Sequence, residues 1–198
     1  MQNVWSDPKY TKRHAGPVIV AGGAACLHDD IAAARSLRAT APILAVNRAG
    51  AIIPNVLGMV TAHGDKADLY DIPHGVPFHD YPSDQRAITR RHSRIDYLWH
   101  GPTAAVGTSS LCAVLVALAI GFDEVILCGV PLMKTGYVPG SLAMPTEFTD
   151  NTRKDTGTLQ TRRDAWSRFK AAGNLPRVYS VSGVTREILG VPPMRKGN

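Results

Sequence analysis

The sequence predicts an α/β protein with an open, mostly parallel sheet and helices on both faces. Three observations support this prediction. Short continuous apolar runs, the pattern of strands buried on both faces, recur along the chain. Segments with the helical spacing of apolar residues lie between these runs, and turns rich in glycine or asparagine follow several of them. This alternation is typical of parallel α/β sheets.

The first half of the chain predicts a strand–helix–strand unit. The apolar run of "GPVIVAGGAACL" is the first strand and ends in a glycine-rich turn. The following "HDDIAAARSLRAT" predicts a helix that Asp29 or Asp30 caps. The second strand lies in "PILAVNRAG" and ends at Asn47. The unit Val18–Asn47 has about the length that a right-handed crossover needs.

The alternation continues to the end of the chain. Further strands are predicted over Asn55–Asp65, around Pro77–Tyr81, over Ile95–Trp99, over Glu124–Gly129 and in "RVYSVSG". Helices are predicted over Thr108–Ile120, over Gln160–Ala172 and in "GVTREILGVP", and a long loop over Gly136–Gly157. We therefore expect residues 1–198 to form a single domain, with 1–15 and 192–198 as loose tails.

The composition indicates a soluble, cytoplasmic protein. Hydrophobic residues make up 44% of the 198 residues, which is ordinary for a globular chain. The longest apolar stretch, Leu111–Gly121, is too short to span a membrane, and the first residues lack the apolar core of a secretory signal. Cys26, Cys112 and Cys128 lie in or beside apolar segments without the spacing of metal ligands, so we expect reduced, buried thiols.

The net charge of +6 and the isoelectric point of about 9.4 indicate attraction to anions. The densest basic segments are "TRRHSR" (89–94) and "NTRKDTGTLQTRR" (151–163). Neither segment carries the interleaved aromatic residues on which bases would stack. A small anionic ligand is therefore favoured over nucleic acid, which remains an alternative partner.

Ligands of open parallel sheets bind outside the carboxyl ends of the strands, so residues at those ends form the candidate site. The glycine-rich turn and the "GTSS" segment each lead into a helix whose first amides favour an anion. The amide of Asn47 can contact a base or a ribose, because it both donates and accepts. A tight packing turn, a plain helix cap and a turn-forming asparagine are the alternative explanations. The ligand-binding candidates from these ends are Gly22, Gly23, Ala24, Asn47, Arg48, Thr108, Ser109, Ser110 and Gly129.

His63 and Asp65 are the catalytic candidates. They lie two residues apart at the end of the third predicted strand, so their side chains share a face if the strand persists. The pair can act as a general base and the group that orients it, or Asp65 can meet a metal ion. Ordinary loop polarity is the alternative explanation, and no metal site is predicted.

Three segments together resemble a known superfamily: "PVIVAGGAACL", "ILAVNRAG" and "GTSSLCAVLVALAIGFDEVILCGVPL". They are similar, in order, to the bacterial sialyltransferases of glycosyltransferase family forty-two and to related pterin-pyrophosphokinase-like proteins with a Rossmann-like core. The resemblance spans most of residues 17–132. It implies that Gly22–Ala25, Asn47 and Thr108–Ser110 contact the nucleotide of a CMP- or UDP-type sugar donor. It also implies that the loop over 136–157 covers the site, with Tyr137 nearby.

The chain departs from that superfamily at several positions. Gly23, Ala24 and Ala25 stand where the family carries Asn and Pro-Ser, and Pro131 stands where an Asp often follows. The sialyltransferases place a catalytic histidine before the penultimate helix, whereas this chain has no histidine after His100. The base of a transferase would then be His63 or Asp65, or an acidic loop residue such as Asp150 or Asp155.

These observations predict a nucleotide- or nucleotide-sugar-dependent transferase, with glycosyl transfer as the first hypothesis. The second is a pyrophosphokinase-like enzyme that requires Mg²⁺, for which Asp65 and Asp29 or Asp30 are the placed carboxylates. The third is a binding module without catalysis that acts on nucleotides or nucleic acid through its basic charge. Metal dependence distinguishes the first two hypotheses, and steep salt dependence of binding identifies the third.

Overall fold

The fold is an eight-stranded sheet in which every strand pairs in parallel with its neighbours. A computed structural model describes residues 2–3, 14–70, 75–81, 94–99, 108–133, 136–139, 155–175 and 177–194. The strands are β1 (Gln2–Asn3), β2 (Pro17–Ala21), β3 (Ile43–Val46), β4 (Gly58–Thr61), β5 (Phe78–Asp80), β6 (Tyr97–Leu98), β7 (Glu124–Cys128) and β8 (Val178–Ser180). Their order across the sheet is β1-β6-β5-β4-β3-β2-β7-β8.

The helices are α1 (Leu27–Leu37), α2 (Ala49–Ile52), α3 (Ser109–Ala119), α4 (Asp155–Ala171) and α5 (Gly183–Leu189), with a 3₁₀ helix over Gly64–Tyr70. None of these helices is both long enough and apolar enough to cross a membrane, within the part of the chain that the structure describes. The α/β fold predicted from the sequence is confirmed.

The helices cover both faces of the sheet because the strand residues alternate between two apolar clusters. In β2, Val18 and Val20 join one cluster, whereas Ile19 and Ala21 join the other. The first cluster packs against α3, α4 and α5, and the second against α1, α2 and the 3₁₀ helix. Residues of α3 are almost all apolar and mostly buried, since this helix lies across the centre of the sheet.

The strand order reverses beside β2. From β2 the chain moves through β3, β4, β5 and β6 toward one edge, and it then returns to place β7 on the other side of β2. In open α/β sheets such a reversal leaves a crevice at the carboxyl ends of the two strands that flank it, and ligands bind there. The carboxyl ends of β2 and β7 therefore mark the position of the candidate site.

Several elements differ from their predicted bounds. Asp29 and Asp30 do not cap α1; Cys26 occupies the N-cap position, and both carboxylates lie in the first turn. The third predicted strand ends at Thr61, because the Thr61 hydroxyl accepts a hydrogen bond from the His63 amide at 2.9 Å and turns the chain.

The end of β4 at Thr61 also changes the arrangement of the two catalytic candidates. His63 follows the strand, and Asp65 lies in the 3₁₀ helix, so strand alternation does not place them on one face. The condition for a shared strand face, a strand that persists to Asp65, is therefore not met.

The ends of the chain and the long loop also differ from expectation where they are described. Gln2–Asn3 pair with β6 as a strand that the sequence did not predict, and most of the remaining head lies outside the described residues. α4 begins at Asp155 rather than at Gln160, so the last residues of the predicted loop are helical. Asp150 and Gly107 lie outside the described residues.

Candidate functional site

Two glycines meet backbone to backbone where the strand order reverses. A Cβ atom added to Gly22, after β2, would lie 2.5 Å from the carbonyl oxygen of Gly129, after β7. A Cβ on Gly129, whose φ is +66°, would lie equally close to the carbonyl oxygen of Gly22. The amide of Gly22 also donates to the carbonyl of Cys128 at 2.8 Å. Because a Cβ atom would not fit at either position, both positions require glycine.

The glycine-rich turn is bound to the segment 136–138. The Ala25 amide donates to the Gly136 carbonyl at 3.2 Å, and the Val138 amide donates to the Gly23 carbonyl at 3.0 Å. Tyr137 lies between these bonds, opposite Ala24, with 51% of its surface exposed. The structure therefore brings Tyr137 together with Gly23 and Ala24 at the carboxyl edge.

A buried carboxylate lies in the first turn of α1. Asp30 is 6% exposed, and its Oδ2 accepts hydrogen bonds from the Gly129 amide at 2.8 Å and from the Ser182 hydroxyl at 2.6 Å. Asp29 adds a second acidic side chain in the same turn. Negative side chains stabilise the positive end of a helix dipole, so the start of α1 already carries compensating charge. This arrangement disfavours a phosphate there and links α1 to the segments after β7 and β8.

Cys26 lies beside this carboxylate and remains a neutral thiol. Its Sγ is 3.6 Å from the Ser182 hydroxyl. Burial, assisted by the negative charge of Asp30, raises the pKa of the Cys26 thiol. Because thiolates rather than thiols are nucleophiles, this cysteine is not activated for attack.

The start of α3 differs from the start of α1 in charge. Thr108 is the N-cap, and its Oγ1 accepts a hydrogen bond from the Leu111 amide at 3.1 Å. The hydroxyls of Thr108 and Ser110 lie 3.0 Å apart, and Ser109 is partly exposed. The first turn of α3 has no acidic residue. Thr108 thus acts as the helix cap, which was the alternative explanation of the "GTSS" segment, and the positive end of the helix still attracts an anion because no acidic side chain lies in its first turn.

Asn47 is held in one orientation at the end of β3. Its φ of +52° is a left-handed conformation that asparagine tolerates better than most residues. Its Oδ1 accepts a hydrogen bond from the Thr61 hydroxyl at 2.9 Å, and the same hydroxyl accepts from the His63 amide. Thr61 is fully buried, so its hydroxyl fixes the Oδ1 end of the Asn47 amide, whose Nδ2 end is a separate donor group. Arg48 follows as the N-cap residue of α2.

The two catalytic candidates follow β4 on the same edge of the sheet. His63 is exposed, and its backbone is anchored to Thr61. Asp65 lies in the 3₁₀ helix, and its side chain is outside the described part of the structure. Asp80, at the carboxyl end of β5, is a buried carboxylate that the sequence analysis missed; it packs against the backbone of Gly64. The signal was its position after an apolar run, in "PFHD".

In the segment after β7, every backbone carbonyl from Gly129 to Leu132 accepts a hydrogen bond. In chain order, the donors are Ala24 N at 3.2 Å, Thr185 Oγ1 at 2.6 Å, Val184 N at 2.8 Å and Arg163 Nη2 at 3.2 Å. These donors come from the glycine-rich turn, α5 and α4. The segment therefore forms a rigid wall of the crevice, since each of its acceptors is engaged.

No group of three or more His, Cys, Asp and Glu side chains could hold a metal ion, among the residues whose side chains the structure describes. The Mg²⁺ candidates Asp29 and Asp30 lie in one turn of α1, where Asp29 is exposed and Asp30 is buried. Asp30 directs Oδ2 to a backbone amide and a hydroxyl.

We compared the chain with family models, curated proteins and solved structures, and the comparison with solved structures identifies its fold. Neither a scan of family models nor a search of curated proteins finds a match. Among solved structures, the chain is similar to the MAf glycosyltransferase from Magnetospirillum magneticum AMB-1, with a TM-score of 0.51 and 16% sequence identity. The match covers 93% of this chain and 34% of that protein, so this chain spans about a third of its length. The chain therefore has an α/β Rossmann-like fold that also occurs within a larger protein.

Proposed function

We propose that this chain is a glycosyltransferase that uses a nucleotide-sugar donor of the CMP or UDP type. The observation that carries the proposal is its likeness in fold, over 93% of the chain, to part of a protein described as a glycosyltransferase. The sequence resemblance to the sialyltransferases of family forty-two supports the finer relation. The collection of polar residues at the carboxyl edge of the sheet supports the place of binding.

In this proposal the donor phosphate binds at the start of α3. Thr108 caps this helix, and its first turn has no acidic side chain, whereas α1 begins with Asp29 and Asp30. An anion is therefore favoured at α3 and disfavoured at α1. During transfer the bond between the anomeric carbon and the phosphate oxygen breaks, and negative charge grows on that phosphate. Helix amides that already point at it stabilise this charge without rearrangement.

The nucleoside contacts Asn47 in this proposal. The Thr61 hydroxyl holds the Oδ1 end of the amide, so the Nδ2 end is the donor that remains for a base or ribose oxygen. A side chain fixed in this way loses little conformational entropy on binding. Tyr137 is an exposed aromatic residue that pairs with Ala24 of the glycine-rich turn on the same edge.

The acceptor hydroxyl gives its proton to His63 in this proposal. Histidine is the residue that most often serves as a general base, and His63 is exposed on the edge where the donor binds. Asp65, two residues further on, is the residue proposed to orient it. The acceptor oxygen then bonds to the anomeric carbon as the nucleotide leaves.

A thermal-shift screen tests the proposal. The panel contains CMP, UDP, a CMP-sugar and several UDP-sugars, each with and without Mg²⁺. A ligand present at 100 times its Kd adds about 2.7 kcal/mol to the free energy of unfolding, which raises the Tm of a chain of this size by about 5–10 °C. We expect at least one nucleotide or nucleotide-sugar to produce such a shift.

Two matched variants locate the binding. Asn47→Asp keeps an acceptor for Thr61 and removes the proposed donor. Asn55→Asp makes the same change at a second left-handed asparagine, which is exposed and lies three residues before β4. The shift should fall in Asn47→Asp and persist in Asn55→Asp. A screen without any shift refutes the proposal. A shift that requires Mg²⁺ favours pyrophosphoryl transfer, and salt-sensitive binding of DNA or RNA alone favours the binding module.

A further inference from the structure

A cleft lies at the amino edge of the sheet, where the strands begin, opposite the candidate site. Its volume is about 340 Å³, which is in the range of small-molecule pockets. α1 packs mainly on β2 and β7, whereas β8 lies beyond β7 at the edge of the sheet, which leaves room beside α1. The lining comes from the amino ends of these strands and from the segment after α5: Gly16, Asp123, Glu124, Arg177, Tyr179 and Pro193.

The residues of β8 that line the cleft lie on the face of the sheet that carries α1. Val178 joins the apolar cluster on the opposite face, and its neighbours Arg177 and Tyr179 therefore face the other way. The Arg177 carbonyl accepts a hydrogen bond from the Val125 amide at 2.9 Å, so Arg177 continues the register of β8. Tyr179 is half-buried, and Arg177 is exposed. This face of the cleft thus combines an aromatic ring with a guanidinium.

The buried ion pair of Arg38 and Glu124 fixes another side of the cleft. Arg38 Nε donates to Glu124 Oε2 at 3.1 Å, and Arg38 Nη2 lies 2.8 Å from Oε1. Nη2 also donates to the Pro193 carbonyl at 3.1 Å, and the Ser180 amide donates to the Gly190 carbonyl at 3.0 Å. These bonds hold the segment after α5 beside β8. The cleft is therefore preorganised, which lowers the entropic cost of binding a ligand.

Two charges of opposite sign line the cleft without a partner. Neither the Arg177 guanidinium nor the Asp123 carboxylate forms a hydrogen bond or an ion pair, among the residues that the structure describes. The chain bends at Asp123 just before β7, and the Asp123 amide donates to the Gly16 carbonyl at 3.1 Å. Because Val125 pairs with Val178, Asp123 and Arg177 lie on adjacent strands and one residue out of register. Adjacent strands are about 5 Å apart, so both residues can contact one small ligand.

We propose that this cleft binds a free α-amino acid with an apolar side chain. Such a molecule carries a carboxylate and an ammonium group on one carbon, which matches the guanidinium of Arg177 and the carboxylate of Asp123. Arginine suits the carboxylate because its planar fork can bond both oxygens at once. The apolar side chain packs on Tyr179 and Pro193. The inference goes beyond the proposed function, since this ligand binds at the other edge of the sheet.

A titration of the full chain with L-phenylalanine, followed by backbone amide shifts, tests the inference. We expect saturable shifts at Gly16, Asp123 and Tyr179, with a Kd of about 1 mM or below, since two charge-assisted contacts form. Two modified ligands test the two charges. N-acetyl-L-phenylalanine lacks the ammonium group, and L-phenylalaninamide lacks the carboxylate. Each should bind at least about tenfold more weakly than L-phenylalanine.

Four variants test the protein side of the same contacts. Arg177→Gln and Asp123→Asn should each raise the Kd for L-phenylalanine at least about tenfold. Arg186→Gln and Glu187→Gln make the same kinds of change at exposed positions of α5, a helix on the opposite face of the sheet. These two controls should stay within about twofold of the wild type, since distant exposed charges are screened by salt.

A further comparison separates ligand contact from a structural role. In Arg177→Gln, L-phenylalanine and L-phenylalaninamide should bind alike, because the group that distinguishes them is gone. If Arg177 only supports the fold, the variant should keep the preference of the wild type for the free carboxylate. Thermal melts without ligand show that each variant is folded.

The results that overturn the inference are distinct from those that concern the proposed function. Wild-type protein without saturable binding overturns it, and so does a modified ligand that binds as tightly as L-phenylalanine. A loss in only one of Arg177→Gln and Asp123→Asn also overturns it, because a zwitterion needs both charges. The proposed function is tested by nucleotide-induced shifts of Tm that depend on Asn47, at the carboxyl edge. Either proposal can therefore stand when the other fails.

Discussion

Acidification should destabilise the protein through His79, a buried histidine on the third strand from one edge of the sheet. His79 lies on β5, is 7% exposed and stacks on Tyr97 with ring centroids 4.7 Å apart. Its Nδ1 accepts a hydrogen bond from the Trp99 indole at 3.1 Å, which fixes the neutral ring with its proton on Nε2. Burial lowers the pKa of His79 from 6.5 to about 4, because the charged ring would be poorly solvated there.

The size of the effect follows from the difference between the folded and unfolded pKa values of His79. Since the folded pKa lies below the unfolded one, the stabilisation is fully present above pH 6.5 and is lost as the pH falls toward 4. The difference between 6.5 and about 4 is about 2.5 pH units, and each unit corresponds to about 1.36 kcal/mol. Acidification across this window should therefore remove about 3 kcal/mol from the free energy of unfolding.

Urea unfolding between pH 7.5 and pH 4 measures this loss. His79→Gln retains an acceptor for the Trp99 indole but does not titrate, so its stability should fall less steeply than that of the wild type below pH 6.5. His14→Gln serves as the control, because His14 stacks on Phe122 near the surface. Equal slopes for the wild type and His79→Gln between pH 6.5 and pH 4.5 would refute the assignment of the effect to His79.

Three further stability predictions use the same urea assay. Glu124→Gln should lower the free energy of unfolding by about 3–5 kcal/mol, because it leaves the Arg38 guanidinium buried without its counter-ion. The double variant Arg38→Met with Glu124→Leu should lose less, since no buried charge remains. Equal losses in the two proteins would contradict this explanation. Thr108→Ala should cost about 1 kcal/mol through loss of the helix cap, and Thr108→Ser should be nearly neutral; the explanation fails if Ser and Ala variants match. Gly22→Ala should lower the free energy of unfolding more than Gly173→Ala does. A Cβ atom at Gly22 would collide with the backbone of Gly129, whereas Gly173 has open space around it and only an unfavourable φ of +73°. A larger loss for Gly173→Ala would contradict this explanation.

The centre of the sheet could be predicted well from the sequence. β2, β3 and β7 are continuous apolar runs that stop at glycine or asparagine, so composition alone marked where each strand ends. α3 was predicted within a residue or two because its apolar residues continue without a break from Leu111 to Ala119, soon after the Thr108 cap. Most residues of these elements are buried, and an apolar run in the sequence is the direct sign of such burial.

Elements near the edges of the sheet were harder to predict because contacts between distant parts of the chain decide them. The turn after β4 depends on the Thr61 hydroxyl, whose bond to the His63 amide ended a strand that the sequence extended to Asp65. β1 exists only by pairing with β6, more than ninety positions away in the chain. Local composition carries little information about such pairings.

The candidate site, too, could be predicted from the sequence only in part. Its location at the carboxyl ends of the strands followed from strand order, and Asn47 and Thr108 were assigned from local pattern. The sequence places Asp29 and Asp30 at the start of α1 and no acidic residue at the start of α3, but the burial of Asp30 against Ser182 was not predicted because it joins residues 152 positions apart. The contact of Arg163 with the Leu132 carbonyl was not predicted either, because it joins residues 31 positions apart.

Backbone amide shifts during a titration with CMP, and separately with UDP, test the central claim most directly. The claim is that the carboxyl edge of the sheet binds a nucleotide. It predicts that the largest shifts occur at Asn47 and at Thr108–Ser110, with small shifts elsewhere. The result that would contradict it is an absence of shifts, or shifts confined to the cleft lined by Gly16, Arg177 and Tyr179 at the opposite edge.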